Sequence, residues 1–131
     1  MSQRNEILAI FFVIVSTIGI LLGVWGYQNY RLASEGVIVI RTRAPENGNF
    51  DPPRIELVAG QPAIIEIRNP ETVSHGFAIP SINAGVQEIK PGHVERISVK
   101  FDSPGEYDFL CSTWCTVNHM QMRGKIVVVS E

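Results

Sequence analysis

The segment Cys111-Ser112-Thr113-Trp114-Cys115-Thr116-Val117-Asn118-His119-Met120-Gln121-Met122 places Cys, Cys, His and Met at steps of four, four and three residues. Thiolate, imidazole and thioether together form the ligand set that selects copper. A mononuclear blue copper site uses one Cys, two His and a weak axial Met. Cys115, His119 and Met122 supply three of those four, which leaves Cys111 as a surplus thiolate. Two thiolates can instead bridge two copper ions, each completed by one His and one weak ligand. That arrangement needs a second imidazole, and His75 in Val73-Ser74-His75-Gly76-Phe77 is the candidate. His93 reads as a surface residue and is the fallback imidazole. Met120 is expected to pack beside His119 and is the fallback thioether.

Two other readings of the same residues stand beside this one. Cys111 and Cys115 are close enough along the chain for a disulfide, which an exported domain would favour. A structural zinc site from His75, Cys111, Cys115 and His119 has a suitable ligand count, but it leaves Met122 without a role.

Such ligands need a rigid frame. Gly36–Arg41 reads as a first strand, followed by a loop from Ala44 to Pro53 rich in Pro, Asn and Gly. Ile55–Val58 and Ala63–Arg68 flank a turn at Ala59-Gly60-Gln61-Pro62. In the second of these strands, Ile65 and Ile67 alternate with Glu66 and Arg68, as in a half-buried strand. Phe77–Ile79, Val86–Ile89, Val94–Phe101 and Glu106–Leu110 continue the series, and Lys125–Val129 closes it. Short strands with regular turn signals imply a sandwich or barrel, with the ligand segment between the last two strands.

The 131 residues suffice for one domain and little more. A net charge of −2 gives no electrostatic case for nucleic acid. Hydrophobic residues concentrate in Ile7–Tyr27, an uncharged run of 21 residues, and a spanning helix needs about 20. A cleaved signal peptide would have a shorter apolar core and a small-residue cleavage site. Here the run ends in Trp25, Tyr27 and Tyr30, which suit a membrane interface, so an uncleaved anchor is expected. Gly19 and Gly23 form a G-x-x-x-G step that suits close helix docking or simply reflects the frequency of Gly in membrane helices. Residues 28–36 read as a polar linker.

Cys-x3-Cys-x3-His-x2-Met with an upstream His resembles the binuclear CuA centre of the cytochrome c oxidase subunit II family, over about residues 55–129. His75-Gly76-Phe77-Ala78-Ile79-Pro80-Ser81 resembles the family's segment around its first His ligand. Lys90-Pro91-Gly92 and Ser103-Pro104-Gly105-Glu106-Tyr107 resemble its turns. The resemblance implies an all-β Greek-key cupredoxin sandwich or barrel with one N-terminal transmembrane helix. It divides the chain into an anchor, residues 1–30, and a CuA domain, residues 31–131. It further implies that Cys111 and Cys115 bridge both coppers. His75 and Met122 would complete one copper; His119 and the backbone carbonyl of Thr113 would complete the other. Since only a carbonyl would bind at residue 113, its side chain is expected to be free to vary. The family's Glu at that position, which helps hold an interface magnesium, is Thr113 here. Of the family's electron-receiving aromatic stretch only Phe50 remains, and Trp114, between the cysteines, is the substitute aromatic or else a packed loop residue. The single helix looks like the short subunit II of the B-type haem-copper oxidases.

The function implied is electron transfer: from cytochrome c or a small blue copper protein to the haem-bearing subunit I of a membrane oxidase, with no oxygen-reducing site on this chain. The resemblance puts the copper domain in the periplasm or cell exterior. Arginine counts around the helix (Arg4 against Arg31, Arg41 and Arg43) favour the opposite side, but Arg41 and Arg43 lie in or near a strand and are poor topology signals. Alternatives are a free-standing membrane-anchored CuA carrier, the CuA subunit of another reductase such as one for nitric oxide, and a copper-delivery protein.

Overall fold

A computed structural model describes residues 3–34 and 36–130, in two units, Met1–Glu35 and Gly36–Glu131. The first unit holds one helix, α1 (Gln3–Ser34). Its stretch Asn5–Tyr30 is long and apolar enough to cross a membrane, with a mean hydropathy of 2.9, and the large apolar side chains between Ile7 and Tyr30 are exposed. The helix runs on through residues 28–34, which the sequence reading gave to a linker. A change from apolar to polar side chains does not stop a helix. Gln, Arg, Leu and Ala propagate it well, and the next glycine is Gly36.

The second unit has eight strands: β1 (Val37–Arg41), β2 (Arg54–Val58), β3 (Pro62–Arg68), β4 (His75–Ile79), β5 (Ala84–Ile89), β6 (Val94–Lys100), β7 (Gly105–Leu110) and β8 (Arg123–Val129). They form a three-stranded sheet, β1-β3-β6, and a five-stranded sheet, β2-β8-β7-β4-β5. This is the all-β arrangement expected, with all eight strands found. The pairings β1–β3 and β2–β8 are parallel, and the others are antiparallel. Sequence-adjacent strands therefore often sit in different sheets, which brings Ile40, Ile65, Ile67 and Val99 against Ile55, Phe77, Phe109 and Ile126 in one core. Phe50, from the β1–β2 connection, packs edge-on to Phe77 and Phe109, with ring centroids 5.9 and 5.0 Å away. Edge-to-face aromatic pairs add about 0.5–1.5 kcal/mol each beyond the area they bury. Phe50 is 1 % exposed, so it is a core ring and not the surface aromatic that the resemblance implied.

The alternation in β3 places Glu66 on the solvent face, yet Glu66 is only 2 % exposed. Its cross-strand partner is Arg96, and Arg68 lies two residues along the same strand. Arg68 Nε and Arg96 Nε donate to its two carboxylate oxygens at 2.6 and 2.7 Å. Two guanidinium stems cover the carboxylate, so the charge is buried by its own partners.

Pairing also builds the ligand region. The Leu110↔Arg123 pair at the end of the β7–β8 ladder, with Cys111 N–H donating to Met122 O at 3.1 Å, closes the base of the loop 111–122. Ala78 pairs with Leu110, so the antiparallel register carries His75 and Gly76, at the start of β4, alongside the first residues of that loop. This is how residues far apart in sequence meet.

Candidate metal centre

One ring nitrogen of His75 and the sulfurs of Cys111 and Cys115 all lie within 4.8 Å of one another. The sulfurs are 4.0 Å apart and unbridged, about twice a disulfide bond length. Cys115 Sγ is 3.6 Å from His119 Nδ1 and 3.8 Å from Met122 Sδ. The Thr113 carbonyl oxygen is 3.1 Å from Cys111 Sγ. All six residues picked from the sequence are thus gathered around two sulfurs. Met122 is 1 % exposed and Met120 is 67 % exposed, so the packed thioether is Met122. His93 is exposed, as expected.

His75 is fully buried. Its Nε2 lies 2.8 Å from Glu71 Oε2, and its Nδ1 has no hydrogen-bond partner. A buried nitrogen without a partner is costly unless something else uses its lone pair. With Nε2 taken by a carboxylate, Nδ1 is the nitrogen left for the sulfurs. The donor set and the orphaned nitrogen both fit copper.

The model of the cupredoxin-like domain matches residues 17–128 of the chain. The chain belongs to the cupredoxin-like domain family. It is similar to the cytochrome c oxidase subunit 2 of Thermus thermophilus, 35 % identical over 79 residues, which are 60 % of this chain and 57 % of that protein. The alignment thus spans little more than half of that relative. The nitrous-oxide reductase of Stutzerimonas stutzeri is 39 % identical over 66 residues, 50 % of this chain and 10 % of that protein. Among solved structures, a chain of a haem-copper terminal oxidase dimer shares the fold, with a TM-score of 0.61 and 22 % identity, covering 98 % of this chain and 100 % of that one.

Two glycine-dependent and side-chain anchors hold the cupredoxin loop. Gly76 N–H donates to Cys111 Sγ at 3.3 Å. A Cβ on Gly76 would meet Ser112 Oγ and lie 2.9 Å from both Gln87 O and Thr113 N, so only glycine allows this approach. The Thr113 hydroxyl donates a short hydrogen bond to Gln87 O in β5. The side chain of residue 113, read from the sequence as free to vary, therefore pins the loop to the sheet.

Burial pushes the Cys111 thiol up, but His75, the Gly76 N–H and the Thr113 backbone outweigh it, so Cys111 ionises more readily than an ordinary thiol. Cys115 moves the other way, to about 11, through burial and then the neighbouring Cys111. Two thiolates side by side repel, so the cupredoxin site alone keeps one as the thiol. Bound cations remove that penalty and deprotonate coordinating thiols.

Sequence reasoning missed Glu71. It accepts hydrogen bonds from Ala44 N–H (2.8 Å) and Asn47 Nδ2 (2.6 Å) as well as facing His75. Burial raises its pKa, but Asn47, Ala44 and His75 together hold it below the usual carboxylate range. The available signal was a carboxylate four residues before a candidate ligand His, in Glu71-Thr72-Val73-Ser74-His75. Trp114 stands 70 % exposed with its ring 5.7 Å from the His119 ring, so it is the surface aromatic of the site.

Proposed function

We propose that the chain is the electron-transfer subunit II of a haem-copper cytochrome c oxidase. Cys111, Cys115, His75, His119, Met122 and the Thr113 carbonyl would hold a binuclear copper centre. The observation that carries this reading is the convergence of two unbridged thiols, two imidazoles and one buried thioether at one end of a β framework. When bound, the copper pair supplies a reversible one-electron store. The chain's own residues do the rest. The base of the ligand loop is closed by β7–β8 pairing, so the ligands shift little between redox states. Cys111, His75 and Met122 are shielded from water, while His119 and Trp114 lie toward the surface where a donor such as cytochrome c or a small copper protein would approach. Met122 against Cys115 speaks for copper over zinc, since zinc sites use Cys, His and carboxylate ligands. The similarity to the Thermus subunit 2 supports subunit I of an oxidase as the electron acceptor. The length and apolarity of α1 support a single-pass anchor, and in this reading the copper domain lies on the periplasmic or outer side.

Copper-loaded full-length chain in detergent tests this reading. Two coppers per chain and a delocalised two-copper EPR signal are expected, and His75→Ala should lower both. One copper with a blue spectrum overturns the binuclear site. An unchanged His75→Ala variant overturns the ligand set and makes His93 the next candidate. Mild extraction should recover the chain with a haem-containing subunit that consumes oxygen. The similarity to nitrous-oxide reductase supports a second reading, electron supply to a nitrogen-oxide reductase. Co-purification with such a reductase would favour it, and a chain recovered alone would favour a free-standing carrier.

A further inference from the structure

The connection between β1 and β2 reaches both halves of the metal centre from outside. Its turn at Pro45–Asn47 is flanked by Ala44 and Gly48, with Asn49 following. On one side, Ala44 N–H and Asn47 Nδ2 donate to the two oxygens of Glu71, whose Oε2 faces His75 Nε2. On the other side, Glu46 accepts hydrogen bonds from Thr116 Oγ1 (3.3 Å) and, at short range, from Asn118 Nδ2. Asn49 Nδ2 donates to Gln121 O at 3.0 Å. The loop carrying Glu71 is itself shaped by Asn69, which is buried. Asn69 Oδ1 accepts from Glu71 N–H at 3.0 Å, and its Nδ2 donates to Val73 O and Ile89 O at 2.7 and 2.8 Å.

We propose that Glu71, held by Ala44 and Asn47, is a positioning residue that delivers His75 to copper through Nδ1. The inference rests on the copper reading above and names what makes His75 a competent ligand. An imidazole has two nitrogens, and the one that binds metal is set by the hydrogen bond the other makes. A carboxylate can only accept, so it requires the proton on Nε2 and leaves the Nδ1 lone pair facing the sulfurs. Both oxygens of Glu71 are already aimed by donors from the β1–β2 connection, so the carboxylate cannot swing away without breaking them. The same hydrogen bond makes the ring a stronger donor toward metal. Asn47 donates to Glu71 and not to His75, so it acts through Glu71.

The test uses full-length chain in detergent, with copper as the probe. Glu71→Ala should weaken copper affinity by about 10–100-fold, the usual effect of removing the carboxylate behind a ligating His. In the copper that remains, the reduction potential should rise, because the poorer His75 donor stabilises the oxidised site less. Asn47→Ala, at an exposed position, should shift affinity and potential in the same directions by less. In the Glu71→Ala background, Asn47→Ala should add nothing. A merely structural role would lower thermal stability in both variants while leaving the potential of the loaded protein unchanged, and that result overturns the proposal. An Asn47→Ala effect that persists without Glu71 overturns it too. If His75→Ala itself leaves copper binding intact, the copper reading fails. If His75→Ala abolishes binding while Glu71→Ala matches the wild type, only the positioning role fails.

Discussion

Gly76→Ala isolates the close approach between β4 and the ligand loop. The added Cβ would meet the Ser112 hydroxyl and two backbone atoms, Gln87 O and Thr113 N, each at 2.9 Å. The hydroxyl of Ser112 is exposed and can rotate away. The backbone atoms cannot: Gln87 is inside β5, and Thr113 is tied to it through its own hydroxyl. Carbon–oxygen contacts settle at about 3.3–3.6 Å, so the loop or the strand must give way by roughly 0.5 Å. Overpacking of this kind costs about 1–3 kcal/mol. For a domain of this size that is a fall in Tm of roughly 4–20 °C. The displacement also falls on the Gly76 N–H donated to Cys111 Sγ and on the Thr113 carbonyl beside it. Copper affinity should therefore drop more than stability alone would require. Thermal unfolding of the apo chain and copper titration followed by EPR read the two effects separately. Adding Ser112→Gly to Gly76→Ala removes the movable contact and should recover only a minor part. Full rescue by Ser112→Gly, or a Gly76→Ala variant with unchanged Tm and copper affinity, refutes the assignment to backbone crowding.

Met122→Leu nearly conserves volume at a fully packed position, so the fold should lose less than about 1.5 kcal/mol; copper should remain and the potential measured by voltammetry should rise, because the weak axial ligand tunes it. A fall in potential, or loss of the metal, would count against the axial role. For Glu66, burial raises the pKa but Arg68 and Arg96 outweigh it, so the folded value lies below the unfolded one. The stabilisation is then present above the ordinary carboxylate range near pH 4 and is lost as pH falls through the lowered folded value. Thermal unfolding from pH 7 down to 3 should show wild type more stable than Glu66→Gln at pH 7 and the gap closing in acid; a gap that stays constant would contradict the pairing.

The chemistry of the loop was legible because it is local. Cys111, Cys115, His119 and Met122 fall within twelve consecutive residues, and their types name the metal without any knowledge of the fold. Short apolar runs between turn signals located the strands, and in Ala63–Arg68 period-two alternation also marked the apolar face. The uncharged Ile7–Tyr27 run marked the membrane-span candidate by length alone. The tertiary structure decided the rest. His75 becomes a partner of the loop only because Ala78 pairs with Leu110, a register that alternation does not specify. Glu71 and Asn47 come together across a connection between strands, and no periodicity reports such a contact. Glu66 looked like a solvated charge, and the cross-strand Arg96 together with Arg68 buried it. Phe50 looked like a surface aromatic and proved to be a core ring, because the loop that carries it folds over the open end of the Phe77–Phe109 pair. Residue type determines which chemistry is available; which atoms share a site depends on strand register and on loop closure, and those are settled by packing over distances that the local sequence does not encode.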